Sequence, residues 1–343
     1  MRWPRVDIDT PHGPLQAIAP AVITASRATD IPAFHSGWML NRLAAGWCRW
    51  DNPFGGPAQY VSFACLRAVV LFTKNPRPGL GLLRELERRG LPFCIHVTLN
   101  DYEPEGWEPG LPPLDQRVRD FTELSQWLGR ERLIWRFDPL LCSETTPPRE
   151  LLRRLEFLGE RLHAHTERFV FSFAHLERYA KVRRNLTAAG VRARSFSPAE
   201  MHDIAGRVAD LCRAWDLTAS ACGEEFDFTD CGIEKGRCVN PELLQRLAPE
   251  DEELARLYGL PRVQQGLLPG APKPLGSPKD TGQRKDCGCA PAKDIGGYST
   301  CGHGCVYCYA NSSPEAGRRS AARVDGRSEA LKPGVAEPGR GIR

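Results

Sequence analysis

The sequence lacks any apolar run near the ~20 residues that a membrane helix needs; stretches such as Ala68–Phe72 stop far short of it. Its first ten residues, MRWPRVDIDT, contain early Asp and Pro and no apolar core, so no secretory signal is expected. Charge of one sign is also missing. Forty-six Lys and Arg face 42 Asp and Glu, a formal net charge of +4, and the segment 311–343 alone holds seven basic and four acidic residues. The rest of the chain is therefore nearly neutral. A dedicated nucleic-acid binder usually carries a basic face or stripe, and none stands out. There is no Walker loop, nucleophile elbow or H-E-x-x-H motif, and no short-period repeat.

Other quantities are ordinary. The 343 residues are 41% hydrophobic and 26% charged, enough for a sizeable core without disulfides and too apolar for wholesale disorder. Trp47, Trp50, Trp107, Trp127, Trp135 and Trp215 would stack bases only along a basic groove. Without one, core packing is the better reading.

Short apolar stretches recur at Ala21–Ala25, Ala68–Thr73, Phe93–Leu99, Leu133–Phe137, Phe169–Phe173 and Leu217–Ala221. They are continuous rather than alternating, as strands buried on both faces are. Helical spacing separates them: Trp38–Leu43 continuing toward Ala45, Leu80–Arg89 stopping at Gly90, Leu114–Leu128, Leu151–Leu162, and Pro198–Trp215 entered through Ser197 as N-cap. Strand alternating with helix predicts an α/β fold with a parallel sheet. A (βα) barrel, closed or partial as in the TIM barrel, is the first expectation, and a doubly wound open sheet the second. The expected organisation is a barrel body over 15–262, a Pro-, Gly- and Lys-rich linker or surface loop over 263–286, a cysteine-rich segment over 287–312 and a disordered tail over 313–343.

What the chain has in excess is cysteine, 13 in all. Without export a disulfide framework is not expected, and the protein is placed in the cytoplasm. Cys48, Cys65, Cys94, Cys142 and Cys212 sit in apolar or helical settings and read as core residues. Cys287, Cys289, Cys301, Cys305 and Cys308, by contrast, fall within 22 residues, where even scatter would put about one. Cys301-Gly-His-Gly-Cys305-Val-Tyr-Cys308 has the spacing C-x3-C-x2-C. A structural zinc site usually takes four ligands in two pairs. Three close thiolates instead suit three irons of a [4Fe–4S] cube, with the fourth iron open to a ligand; zinc is the alternative. A second site is expected from Cys222, Cys238, Cys287 and Cys289, with Cys231 able to replace one of them. It would be an iron–sulfur cluster or a zinc.

At Cys301, Cys305, Tyr307 and Cys308 the sequence resembles the radical S-adenosylmethionine (SAM) enzymes. The resemblance implies that the open iron binds the amine and carboxylate of SAM and that Tyr307 packs near the adenine. It also implies reductive cleavage of SAM to a 5′-deoxyadenosyl radical, which takes hydrogen from a substrate. A reductant such as a flavodoxin or ferredoxin would be the partner. The segments Ser26-Arg-Ala-Thr-Asp30-Ile-Pro-Ala-Phe34, Phe72-Thr-Lys-Asn-Pro76, Ile134-Trp-Arg-Phe-Asp138-Pro139, Cys222-Gly-Glu-Glu225 and Gly232-Ile-Glu-Lys-Gly-Arg-Cys238 resemble the bacterial family called domain of unknown function 1848, from about residue 20 to 312. Ordinary radical SAM enzymes carry their motif after the first barrel strand, whereas here it comes last. A strand over Asp294–Ser299 would complete the barrel as in a circular permutation.

In (βα) barrels the chemistry sits at the C-terminal ends of the strands. There the sequence places Ser26, Arg27 and Asp30, then Lys74 and Asn75, then His96, with Thr98 and Asn100 on its face, then Arg136 and Asp138, and finally Glu224 and Glu225. Arg and Lys would hold a carboxylate or phosphate, and Glu224 or Glu225 the SAM amine or ribose. The bland reading is a buried polar network with Arg27–Asp30 and Arg136–Asp138 as ion pairs. Three functions stay open: a radical SAM enzyme, a non-catalytic iron–sulfur or zinc protein serving electron transfer or structure, and a nucleic-acid repair or modification protein.

Overall fold

A computed structural model describes residues 3–53, 55–260 and 278–331. The expected linker therefore falls largely outside the described residues. The chain opens with hairpin β1 (Arg5–Thr10) and β2 (Gly13–Ile18), then β3 (Val22–Ala25), α1 (Ile31–Phe34), α2 (Ser36–Ala45), β4 (Trp47–Trp50) and β5 (Gln59–Ser62). Next come β6 (Ala68–Thr73), α3 (Leu80–Arg88), β7 (Phe93–Thr98), α4 (Leu114–Leu128), β8 (Leu133–Leu140) and the short β9 (Cys142–Ser143). After these stand α5 (Pro148–Leu162), β10 (Arg168–Phe173), α6 (Ala180–Ala188), β11 (Ala193–Arg194), α7 (Pro198–Ala214) and β12 (Thr218–Ala221). The chain ends with β13 (Glu234–Lys235), α8 (Pro241–Leu247), α9 (Glu252–Tyr258), β14 (Lys293–Asp294) and α10 (Pro314–Ala321). Among the described residues, no helix is long and apolar enough to cross a membrane.

The central sheet has eight strands in the order β13-β12-β10-β8-β7-β6-β3-β14, and its ladders are all parallel. It is a mixed α/β fold built on a large parallel sheet. Among the described residues, β13 and β14 are its open edges and no ladder closes it. A four-stranded sheet, β1-β2-β5-β4, is separate. The sequence reading missed it because Ile8, Ala17 and Trp47 form only a small core.

All six expected strands and all five expected helices are present, within a few residues at their ends. The strands are buried on both faces, as their continuous apolar runs predict. Alternate residues divide cleanly. Ile23, Val69, Leu71, Ile95, Trp135, Phe137, Phe169 and Phe171 face the helices of the main core. Val22, Ala68, Val70, Cys94, Ile134 and Val170 face a second core. That second face is covered by Leu243, Leu244, Leu254 and Tyr258 of α8 and α9, and by the segment around Cys287–Ala290. Helix α7 starts as expected: Ser197 accepts from the N–H of Glu200, Glu200 accepts in return from that of Ser197, and Pro198 follows. Gly90 ends α3 with a positive φ of 63°. The helices α8 and α9 were missed, although Asn240 and Asp251 cap them and Pro241 sits at the start of α8.

The tail corrects an expectation. Residues 313–331 are ordered. Ser313 caps α10, Trp38 Nε1 donates to the carbonyl of Ser328 at 2.9 Å, and Leu331 is buried in the main core. Low apolar content misled the reading, because one leucine and several backbone hydrogen bonds suffice to dock this strap. The remainder of the tail lies outside the described residues. Leu331→Ala should lower unfolding stability by about 2–4 kcal/mol, measured by chemical denaturation; an unchanged midpoint would mean the strap is not docked.

Candidate metal centres

The strand β14 pairs with β3, Lys293 opposite Ile23 and Asp294 opposite Thr24. The strand is Lys293–Asp294, so the expectation of one over Asp294–Ser299 holds at Asp294 alone, and residues 295–299 are not extended in the sheet. Asp294 fixes it: its carboxylate accepts from Thr24 Oγ1 at 2.8 Å, Ser26 Oγ at 2.8 Å, and the backbone N–H groups of Arg27 and Gly296, both at 2.9 Å. Gly296 must be glycine here, since a Cβ would lie 1.9 Å from Ser26 Oγ. The cysteine loop leaves from this clamp at the C-terminal edge of the sheet. Gly304 turns it with a φ of 70°.

Buried side chains grip the loop. His303 Nε2 meets Asp30 Oδ2 at 2.7 Å, and the same oxygen accepts from the backbone N–H of Lys74 at 2.7 Å. Lys74 Nζ donates to Glu108 Oε1 at 2.8 Å and to Tyr307 Oη at 3.2 Å. Tyr307 Oη donates to Glu108 and accepts from Asn100 Nδ2 at 3.0 Å. Burial pushes the Glu108 carboxyl up, but Lys74 and Arg117 outweigh it and hold it below its ordinary value. Burial pushes the Lys74 ammonium down, and Glu108 and the neighbouring Cys305 more than reverse that.

The three thiols are neighbours beside this grip, with Lys74 and Glu108 next to Cys305. Cys305 is buried, and Cys301 and Cys308 are half-buried. Burial pushes the Cys301 thiol up to about 12. It also raises Cys305 strongly, with Cys301 and Cys308 adding to the effect. Protein alone does not ionise them; a bound metal would, releasing protons. Asn311 donates its backbone N–H to Cys308 Sγ at 3.4 Å and its side-chain amide to the carbonyl of Cys301 at 2.9 Å. Among the described residues, one group of three or more ligand atoms lies entirely within 4.8 Å, and it is His202, Asp230 and Cys231 on the surface. Two thiolates on one zinc, each about 2.3 Å away, can be no more than about 4.6 Å apart. The sulfurs of Cys301, Cys305 and Cys308 do not all lie within that distance of one another.

A second set of thiols lies on the face of the sheet that α8 and α9 cover. Cys222 and Cys238 sulfurs are 3.5 Å apart, and the Cys238 N–H donates to Cys289 Sγ at 3.1 Å. A hydrogen bond with Cys289 brings the Cys287 thiol down to about 7. Arg136 Nη1 donates to Cys238 Sγ at 3.2 Å. Cys231 does not belong to this set. It lies 3.6 Å from His202 Nε2 on the surface, carried there by the turn that separates it from β13. Cys48, Cys94, Cys142 and Cys212 are buried, as core cysteines should be, and Cys65 is half-buried; burial pushes Cys48, Cys94 and Cys212 up to about 12.

The remaining candidates divide. Ser26 serves the Asp294 clamp. Arg136 pairs with Asp138, which also accepts from Ser172. His96 Nε2 is 2.9 Å from the carbonyl of Cys238, and its ring stacks on Phe72. Burial, then Arg136, takes its pKa down to about 3. Asn75 donates its backbone N–H to Thr73 Oγ1 at 3.0 Å, and its buried Oδ1 has no partner. Three expectations are corrected. Asp30 pairs with His303 rather than Arg27, because the first turn of α1 aims it at the cysteine loop. Both oxygens of Glu224 are taken, by the Phe173 N–H at 2.9 Å and His175 Nε2 at 2.7 Å. Glu225 points to solvent and pairs with Arg178. Tyr307 is buried against Tyr102, with its hydroxyl in the Glu108 network.

Sequence reasoning missed Glu108, His303 and Asp294. Glu108 sits in a loop rich in Pro and Gly with no motif, and only its partner Lys74 gives it meaning. His303 and Asp294 were findable, since one lies inside the cysteine motif and the other just before it.

A sequence profile of the family described as Domain of unknown function (DUF1848) matches residues 22–310. The chain belongs to this family. The match takes in both cysteine sets and the Asp294 clamp. No curated protein matches the chain. A solved structure, titled as a putative alpha-L-fucosidase from Bacteroides thetaiotaomicron VPI-5482, is 13% identical over 57% of this chain and 75% of that one, with a TM-score of 0.24. A likeness that slight carries no argument.

Glu108→Ala should cost about 3–5 kcal/mol, because it leaves Lys74 and Arg117 buried beside no carboxylate. Tyr307→Phe should cost only about 1 kcal/mol. Denaturation midpoints of the two variants check the order; equal losses would contradict the assignment of Glu108 as the hub.

Proposed function

We propose that Cys301, Cys305 and Cys308 hold a [4Fe–4S] cluster with one open iron, and that the protein is a radical SAM-type enzyme. The observation that carries this reading is where the motif leaves the fold. The loop starts at β14, which lies beside β3, the first strand of the parallel sheet. From β3 the order runs β6, β7, β8, β10, β12 and β13. Joining the chain ends and opening it before β14 would put the motif-bearing strand first. The sheet is on this reading a partial (βα) barrel, circularly permuted.

Bound there, the cluster would supply the electron that cleaves SAM reductively. The protein's own residues do the rest. Asp294 anchors the segment that leads into the loop, and Asp30 holds His303 within it. Lys74 brings positive charge to Cys305, which favours its thiolate. The Asn311 N–H at Cys308 Sγ is the kind of hydrogen bond that tunes a cluster's potential. Tyr307, whose hydroxyl is already bonded, fixes the loop rather than offering a free face. Neither Lys74 nor Arg136 is free to take the SAM carboxylate, since Glu108 and Asp138 hold them. On this reading a flavodoxin or ferredoxin would supply the electron.

Anaerobically reconstituted protein given dithionite and SAM should release 5′-deoxyadenosine, read by chromatography, and Cys305→Ala should abolish it. Release that persists in the variant would sink the cluster assignment. A loaded cluster whose EPR signal ignores SAM would point to an electron carrier instead.

A further inference from the structure

Three chain segments meet on the face of the sheet that α8 and α9 cover. The first is Cys222, just past the end of β12. The second is the turn after β13, which carries Cys238. The third is Cys287-Gly-Cys289, tied to the second by the Ala290 N–H on the carbonyl of Val239 at 3.1 Å. Glycines permit the approach. A Cβ on Gly236 would lie 2.5 Å from the carbonyl oxygen of Ala221, and one on Gly288 would lie 3.0 Å from that of Gly236. The packing thus brings four cysteines together, three of them buried, and none is in a disulfide. Their contacts run in a row, Cys222 to Cys238 to Cys289 to Cys287.

Two arginines face this row. Arg136 donates to Cys238 Sγ and is held by Asp138 on its other side. Arg27 lies near Cys289, Asp294, Cys238 and Cys287, and its Nε and Nη2 are buried with no hydrogen-bond partner. A buried cation with unmet donors is costly. The Asp294 carboxylate offsets part of that cost for Arg27, but it makes no hydrogen bond to Nε or Nη2; neutral thiols add nothing, whereas an anionic metal–thiolate centre would. No three of the four sulfurs lie within 4.8 Å of one another, so the row is longer than one zinc spans with bonds of about 2.3 Å.

We infer that Cys222, Cys238, Cys287 and Cys289 ligate a second iron–sulfur cluster, with Arg27 and Arg136 as its counter-charges. It has four protein thiolates, so all its irons are protein-bound. That distinguishes it from the three-cysteine centre, whose fourth iron is open. The inference uses none of the residues of that first centre and stands whether or not SAM is cleaved.

The test is iron counting on the full chain after anaerobic reconstitution with iron and sulfide. Wild type should bind about eight irons, the content of two four-iron clusters. A variant with Cys301, Cys305 and Cys308 all changed to Ser should keep about four irons and a reducible EPR signal. Cys238→Ser combined with Cys289→Ser should also fall to about four, with circular dichroism reporting on its fold. Loss of all iron from the first variant, together with about four irons in wild type, would overturn the inference. One zinc per chain and no iron in the first variant would overturn it equally. If the first variant binds iron and wild type fails to cleave SAM, the proposed activity fails while this cluster stands.

Discussion

The Asp294 carboxylate gathers four donors from the end of β3 and the turn beyond β14. Hydrogen bonds to a charged acceptor contribute about 1.5–3 kcal/mol each, so this cluster of bonds holds a two-residue strand that could not stand alone. Everything downstream inherits its position. The cysteine loop begins seven residues later, and its far side is fixed by His303 on Asp30 and by Tyr307 in the Glu108 network. Asp30 in turn is set by the first turn of α1, where it accepts from the N–H of Ala33 at 2.9 Å. Both ends of the chain's parallel architecture therefore converge on one edge.

The two faces of the sheet have different work. The face toward the crossover helices is apolar. The opposite face starts apolar, with Val22, Val70 and Val170, and becomes polar toward the strand ends, with His96, Arg136, Asp138 and Ser172. Buried charge is tolerated there because it is paired: Lys74 with Glu108, Arg136 with Asp138, Asp30 with His303. The exceptions are informative. Arg27 and Asn75 are among the residues that retain buried polar atoms without partners, as are Thr29 and the Nδ1 of His303, and Arg27 lies near the four-cysteine row and Asp294. Pairing explains most of the polar mouth as structure; the unpaired remainder and the thiols carry the functional reading.

Much of this was legible in the sequence. The six strands announced themselves as continuous runs of apolar and β-branched residues, and α7 through Ser197, Pro198 and Glu200. The grouping of Cys222, Cys238, Cys287 and Cys289 was also readable, because Cys222 ends a strand. What could not be read was partnership across distance. Nothing in Pro-Glu-Gly-Trp-Glu marks Glu108 as the ligand of Lys74, since the pairing exists only once α4 and the cysteine loop have docked. Arg27 and Asp30 are three residues apart and of opposite charge, yet they do not pair, because the chain turns between them. The ordered strap over 313–331 escaped notice since its docking rests on backbone carbonyls, which have no sequence signature.

The central claim is that Cys301, Cys305 and Cys308 leave one iron open for SAM. The most direct measurement is electron–nuclear double resonance on the reduced, reconstituted protein with SAM labelled at its amine nitrogen and carboxylate carbon. The account predicts hyperfine couplings from both labels, lost in Cys301→Ser. A reduced cluster with no coupling to either label would contradict it.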